Sequence, residues 1–174
     1  IDINKISILT LYNSQCLDLK NKLIKFNIPC QIKHKKNIFD TEASGLLVFF
    51  IDSLLNPRRY RNISLLAISK FIEIDMAELI EYQSSKKFEI LTNQCITWSL
   101  ELEDKGFLTL VNELIINYKP SSIISDADLH SNLFQLSEII EIELINNDFN
   151  LNKVFKWYQN QLDDSLRICT GEDY

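Results

Sequence analysis

One apolar stretch dictates most of what this chain can become: Asn37 to Pro57, NIFDTEASGLLVFFIDSLLNP. Ala43, Leu46, Leu47, Phe50, Ile51, Leu54 and Leu55 recur at i, i+3, i+4 spacing, which draws one continuous stripe down a helix. Val48 and Phe49 widen the stripe until most of the circumference is apolar, so this helix belongs at the centre of a fold. The pattern predicts an extended Ile38-Phe39 pair, an N-cap at Thr41 with Glu42 in the first turn, and a stop at Asn56-Pro57. A helix apolar on nearly every side needs partners on every side, and the rest of the chain has to supply them.

The 174 residues suit one domain, or one domain and part of another. Hydrophobic residues make up 46%, enough for a sizeable core, while three glycines and three prolines are too few for the tight turns of an all-β protein. The expected fold class is mainly α, an irregular helical subdomain with a small N-terminal βαβ piece of an incomplete parallel sheet. In that piece Lys5 to Leu11, KISILTL, reads as a strand buried on both faces. Ser14 can cap a helix whose inner face is Cys16, Leu19, Leu23 and Phe26, and Asn27 with Pro29 ends it. Cys30 to Lys33 reads as a second short strand. Two strands do not stand alone, so the sheet is expected to lack its neighbours here. The chain begins without methionine and ends in CTGEDY, which together suggest a piece of a longer protein.

Beyond the central helix the pattern predicts helix upon helix. One runs from about Asn62 to Phe71, and another is opened by Asp75 with Glu78 three residues on, a capping-box arrangement. Phe88, Leu91, Cys95, Trp98 and Leu102 form a long stripe that Gly106 closes. Phe107, Val111, Leu114, Ile115 and Tyr118 build the next helix, ended by Pro120, and Lys119 to Ser125 reads as a loop. Leu129 to Ile145 is a long helix with Leu133, Leu136, Ile140 and Leu144 on its apolar face, broken by Asn146-Asn147-Asp148. Leu151, Val154, Phe155, Tyr158 and Leu162 make the last helix.

No catalytic constellation stands out. His34 and His130 lie far apart with no metal-ligand spacing around them, and Asp163-Asp164 and Glu141/Glu143 fall on polar helix faces as solvated charge. Cys16, Cys30, Cys95 and Cys169 are widely spaced with no CxxC pair, which fits reduced thiols in a cytoplasmic protein. There is no glycine-rich phosphate loop and no G-x-S-x-G elbow. The apolar runs are too short and too interrupted by charge to span a bilayer, so no membrane partner is expected. The net charge is -6, yet the cations cluster: Lys33, Lys35 and Lys36 around His34, and Arg58, Arg59 and Arg61 after Pro57. Each cluster has the charge to meet phosphates, and each also suits a solvated loop. They sit at the two ends of one helix, which argues against a single patch. Trp98, Trp157 and Tyr158 lie on apolar stripes and are expected in the core and not as base-stacking platforms.

Taken in order, these segments resemble the UvrD-like family of ATP-dependent DNA helicases, with a closer likeness to the RecB-type beta subunit of exodeoxyribonuclease V. The first segment, ISILTLYNSQCLDLKNKLIKFNIPCQI, is similar to the family's fourth helicase motif and the helix and strand after it. Phe39, Thr41, Glu42, Ala43 and Asn56-Pro57, followed by Leu65-Leu66-Ala67, resemble the RecB-type pattern F-x-T-x-E/A…L…NP. Trp98, Lys105-Gly106, Leu110 and Leu114, then Leu133 and Leu136 to Ile140, are similar to later helices of the family's inserted helical subdomain. Phe155 to Tyr158 resembles the last helix before the chain returns to the motor.

The resemblance implies three parts: residues 1–36 as the edge of the second RecA-like motor domain, 37–165 as the inserted 2B-like helical subdomain, and 166–174 as a tail leading back. It implies a non-catalytic piece of a helicase and exonuclease acting in double-strand break repair and recombination. Its partners are duplex DNA ends and the other subunits of a RecBCD-like complex. ATP and magnesium belong to the full-length parent and no cofactor to this piece. Lys35, Lys36, Arg58, Arg59 and Arg61 are the residues expected at DNA phosphates, and Leu11 and Asn13 hold the nucleotide-proximal motif positions. Leu11 stands where relatives place an arginine that reaches the nucleotide, which puts that contact in question. A glycine-centred turn used against duplex backbone would fall near Lys70 to Ile74, where this chain has no glycine, and Asp126, Asp128 and His130 stand where relatives are often basic. The competing reading, favoured by the acidic balance, is a helical protein-interaction module without a nucleic-acid role.

Overall fold

The computed structural model describes residues 13–26 and 37–170, together with Ile8 and Ile28. The chain divides into two compact units, Ile1–Lys36 and Asn37–Tyr174. In the first, the described residues form one helix, α1 (Asn13–Lys25), with Lys22 and Lys25 in its last turn, where cations meet the free carbonyls. Leu19 and Leu23 are half-buried, as their inward spacing predicts, but Phe26 is 78% exposed. The strands expected at Lys5–Leu11 and Cys30–Lys33 lie outside the described residues apart from Ile8, which is in neither helix nor strand. No strand occurs among the described residues, so the fold is mainly α and the βαβ piece is not seen.

The second unit opens with a single 3-10 turn, Ile38–Asp40. The extended Ile38-Phe39 pair expected from sequence is wound instead, because Asn37 accepts from the Phe39 amide at 3.3 Å and Thr41 donates its hydroxyl to the Ile38 carbonyl at 2.6 Å. Thr41 therefore holds the N-cap position of α2 (Glu42–Leu55) by its extended backbone alone, its hydroxyl being spent backwards. Then come α3 (Tyr60–Ile68), α4 (Leu79–Gln83), α5 (Lys86–Lys105), α6 (Phe107–Tyr118), α7 (Ser121–Ser125), α8 (Ala127–Asn146) and α9 (Leu151–Thr170). Among the described residues no helix is long and apolar enough to cross a membrane.

The broad stripe of α2 is the axis of this unit. It packs against α3, α5, α8 and α9, and Ala43, Leu47, Phe50, Ile51 and Leu54 are wholly buried. Each such Leu, Ile or Phe contributes about 1.5–3 kcal/mol by leaving water. Phe50 is the meeting point: its ring centroid lies 5.7 Å from Trp98 of α5, 5.7 Å from Phe107 of α6 and 6.1 Å from Phe71. The stripe Phe88, Leu91, Cys95, Trp98 and Leu102 of α5 is buried throughout, and burial pushes the Cys95 thiol up to about 12, so it packs as an inert small group.

Several helix ends differ from the sequence expectation for identifiable reasons. The third helix stops at Ile68, short of Phe71, because the Ser69 hydroxyl donates to the Leu66 carbonyl and accepts from the Phe71 amide, turning Phe71 into the core. Asp75 accepts from the Ala77 amide at 2.7 Å, but regular helix starts only at Leu79 and Glu78 makes no side-chain cap. The segment Lys119–Ser125, expected as a loop, winds into α7 because Ile123 is buried and a carboxylate from elsewhere caps its N-terminus.

Candidate functional site

The α2–α3 corner carries the three arginines. Asn56 ends α2 at φ -136°, Pro57 forbids its continuation, and the Asn62 amide donates to the Asp52 carbonyl at 3.0 Å, folding the first turn of α3 back on the last turn of α2. That turn pushes Arg58, Arg59 and Arg61 outward, all exposed. Among the described residues no ion pair joins them to a carboxylate. Burial raises the Asp52 carboxyl above the usual range, against the pull of Arg61 and Arg59.

Tyr60 lies among the arginines, 54% exposed, with its ring centroid 4.9 Å from that of Phe88. This contact brings the first turn of α5 to the corner, and with it the exposed Lys86 and Lys87. Sequence reasoning missed these two lysines, since nothing in the spacing tells that residue 60 meets residue 88. Glu89 stands exposed in the same first turn, so the surface is basic but not uniformly so. Arg58 and Arg59 also line an open concavity of about 350 Å³, together with Asn56, Pro57, Ile96, Ser99 and Leu100. Its anion-binding capacity lies in the two guanidinium groups.

The other expected positions fall apart from this corner. Lys35, Lys36, His34 and Leu11 lie outside the described residues, and Asn13 is known only as the first residue of α1. His130 is exposed and stacks on Phe134 with centroids 4.7 Å apart. Trp98 and Tyr158 are core residues, and Trp157 is half-buried with its ring edge-on to Phe39 at 6.0 Å. Among the described residues no group of three or more His, Cys, Asp or Glu could hold a metal ion.

Two glutamates cap helices, which the sequence pattern does not reveal. Glu141, expected as solvated charge, accepts from the Leu108 amide at 2.8 Å and so caps α6 from α8. Glu73, at φ +63° in the turn after α3, accepts from the Ser121 and Ser122 amides at 2.9 and 2.7 Å and from both hydroxyls. The Ser122 hydroxyl foremost holds its carboxyl down at about 2, although the residue stands open to solvent. Both are structural caps.

Compared with models of known protein families and with curated protein sequences, the chain matches none.

Proposed function

We propose that this chain is the inserted helical subdomain, with the adjoining motor edge, of a RecB-type helicase and exonuclease subunit, working in the cytoplasm. In that role it guides duplex DNA ends and docks partner subunits of a RecBCD-like complex, and it catalyses nothing itself. The reading rests on the ordered set of sequence likenesses along the chain. The observation that carries its DNA part is the corner where Arg58, Arg59 and Arg61 stand exposed, joined by Lys86 and Lys87, with no carboxylate ion-paired to the arginines among the described residues. Phosphate contact needs cations with reach and no competing acid within bonding distance, and this corner offers that within a chain of net charge -6.

One departure bears on where contact would be made: the turn between Lys70 and Ile74 carries Glu73, at φ +63°, where the resemblance implies a glycine. A negative charge at that turn disfavours phosphate contact there and leaves the arginine corner as the candidate. ATP and magnesium are assigned to the rest of the parent, whose phosphate loop this sequence does not carry.

The test titrates the chain against a labelled duplex end at several salt concentrations. Replacing Arg58, Arg59 and Arg61 by alanine should weaken binding across all sequences and flatten the log K against log salt slope by about 2 to 3, at roughly 0.9 for each phosphate no longer neutralised. Binding absent even at low salt, or unmoved in the triple variant, removes these residues from the DNA account and favours the protein-interaction module. In the parent reading frame, a phosphate-loop G-K-T upstream and a T-x-H-x-x-K-G-L-E segment after Tyr174 are expected, and their absence sinks the family reading.

A further inference from the structure

Leu100 is 79% exposed, the most exposed leucine of the helical unit among the described residues, and stands on the outer face of α5 between two hollows. The first, about 350 Å³, is bordered by Pro57, Arg58, Arg59 and Ile96, and the second, about 290 Å³, by Leu55, Phe149, Asn152 and Glu103. Ser99 and Leu100 line both, so knob and hollows form one continuous groove along the helix. Each hollow exceeds the ~150 Å³ cavity that encloses a benzene, so a leucine side chain has room in either.

The groove is charged in opposite senses at its ends. Arg58 and Arg59 border it beside Ile96, while exposed Glu103 lies seven residues further along α5, about 10 Å at helical rise. Asp104, also exposed, adds to the acidic end. A surface with a knob beside a hollow, and opposite charges to either side, is complementary to itself under a two-fold axis. Antiparallel pairing of α5 with its copy lays Leu100 of each against Ile96 and Pro57 of the other. It also brings Glu103 of each toward Arg58 and Arg59 of the other.

We propose that this groove is a self-association face, occupied by a second copy of the chain in antiparallel α5–α5 register. The footprint is small and the net charge of -6 opposes approach, so the dimer is weak, and it forms best where salt screens the long-range repulsion. This goes beyond the DNA-guiding reading. It shares Arg58 and Arg59 with that reading, so duplex DNA and the second copy compete for them.

Sedimentation equilibrium of the full chain near 0.15 M salt, up to about 1 mM, tests this at the weak end of specific affinity. Leu100→Asp should weaken the dimer by about tenfold or more, since it replaces the apolar anchor by a charge. Arg58→Glu with Arg59→Glu should weaken it, and so should Glu103→Arg, each variant keeping the parent's helical circular dichroism. The triple variant that exchanges these charges should restore it. A chain monomeric throughout, association indifferent to Leu100→Asp, or a triple variant that fails to recover each overturns the proposal. Leu100→Ser, which adds no charge beside Arg58 and Arg59, should also weaken the dimer and should leave duplex-end binding at the parent level, so failure here and failure of the DNA reading are separable. Loss of duplex binding in that variant would assign the groove to DNA and overturn the self-association face.

Discussion

Gly106 occupies a place that no other residue can share. Its φ of +80° with ψ 153° lies in a region reserved almost wholly for glycine, and a Cβ there would stand 2.9 Å from the Glu141 carboxylate oxygen. Gly106→Ala should lower the urea midpoint with little change in slope, at a strain of about 1–3 kcal/mol. Adding Glu141→Ala makes room for the methyl but leaves the backbone strain and the uncapped Leu108 amide, so the double variant should not recover. Glu73 gives a pH-dependent counterpart. A carboxyl held at about 2 against an ordinary 4.5 adds stability that is fully present above pH 4.5 and lost as the pH falls toward 2. After allowance for solvent screening this amounts to about 1 kcal/mol, and Glu73→Gln should remove it at pH 7 while flattening the acid limb of the stability profile. The two residues differ in how far they could be read in advance. A glycine after the stripe ending at Leu102 announces a helix end, whereas neither Glu141 on a helix face nor Glu73 in a turn says which helix it will cap 33 or 48 residues away.

At the level of elements, α2 shows why a hydrophobic stripe predicts centrality. Phe50→Ala would empty the space where rings from α5, α6 and the turn after α3 converge. The expected loss is about 3–5 kcal/mol by chemical denaturation, enough to threaten a domain of ordinary stability. Tyr60→Ala, which removes a half-exposed ring from the rim, should stay well below it. The stripes of α2, α5, α6 and α8 are legible because burial repeats every turn. Their ends are less so. Ser69, Asn37 and Thr41 stop or start helices through hydrogen bonds to their own backbone, and such bonds compete with helix on margins too fine for a pattern to resolve. The helix α7 looks like a loop in sequence because five residues carry no period, and its order comes from Ile123 and a distant cap.

For the whole molecule, Tyr158 closes a long circuit: its hydroxyl donates to the Ser44 carbonyl at 3.0 Å, from α9 to α2 across 114 residues. Tyr158→Phe keeps the ring and removes a second bond to a carbonyl that the α2 ladder already uses, so it should cost about 1 kcal/mol by thermal or urea unfolding. The mainly α class and the central helix follow from composition and period. The candidate site does so only in part: Arg58, Arg59 and Arg61 are visible as a run, but Lys86 and Lys87 join them through a ring contact no spacing encodes. The Glu73 cap has a further consequence for how the molecule comes apart. Acid withdraws the anion from α7 while the apolar contacts of α2, α5 and α8 are indifferent to protons. Amides of residues 121–125 should therefore be the first of the helical unit to exchange with deuterium near pH 2. An acid protease should make its earliest cut in that short connector, leaving the segments before and after it folded upon one another as a nicked pair.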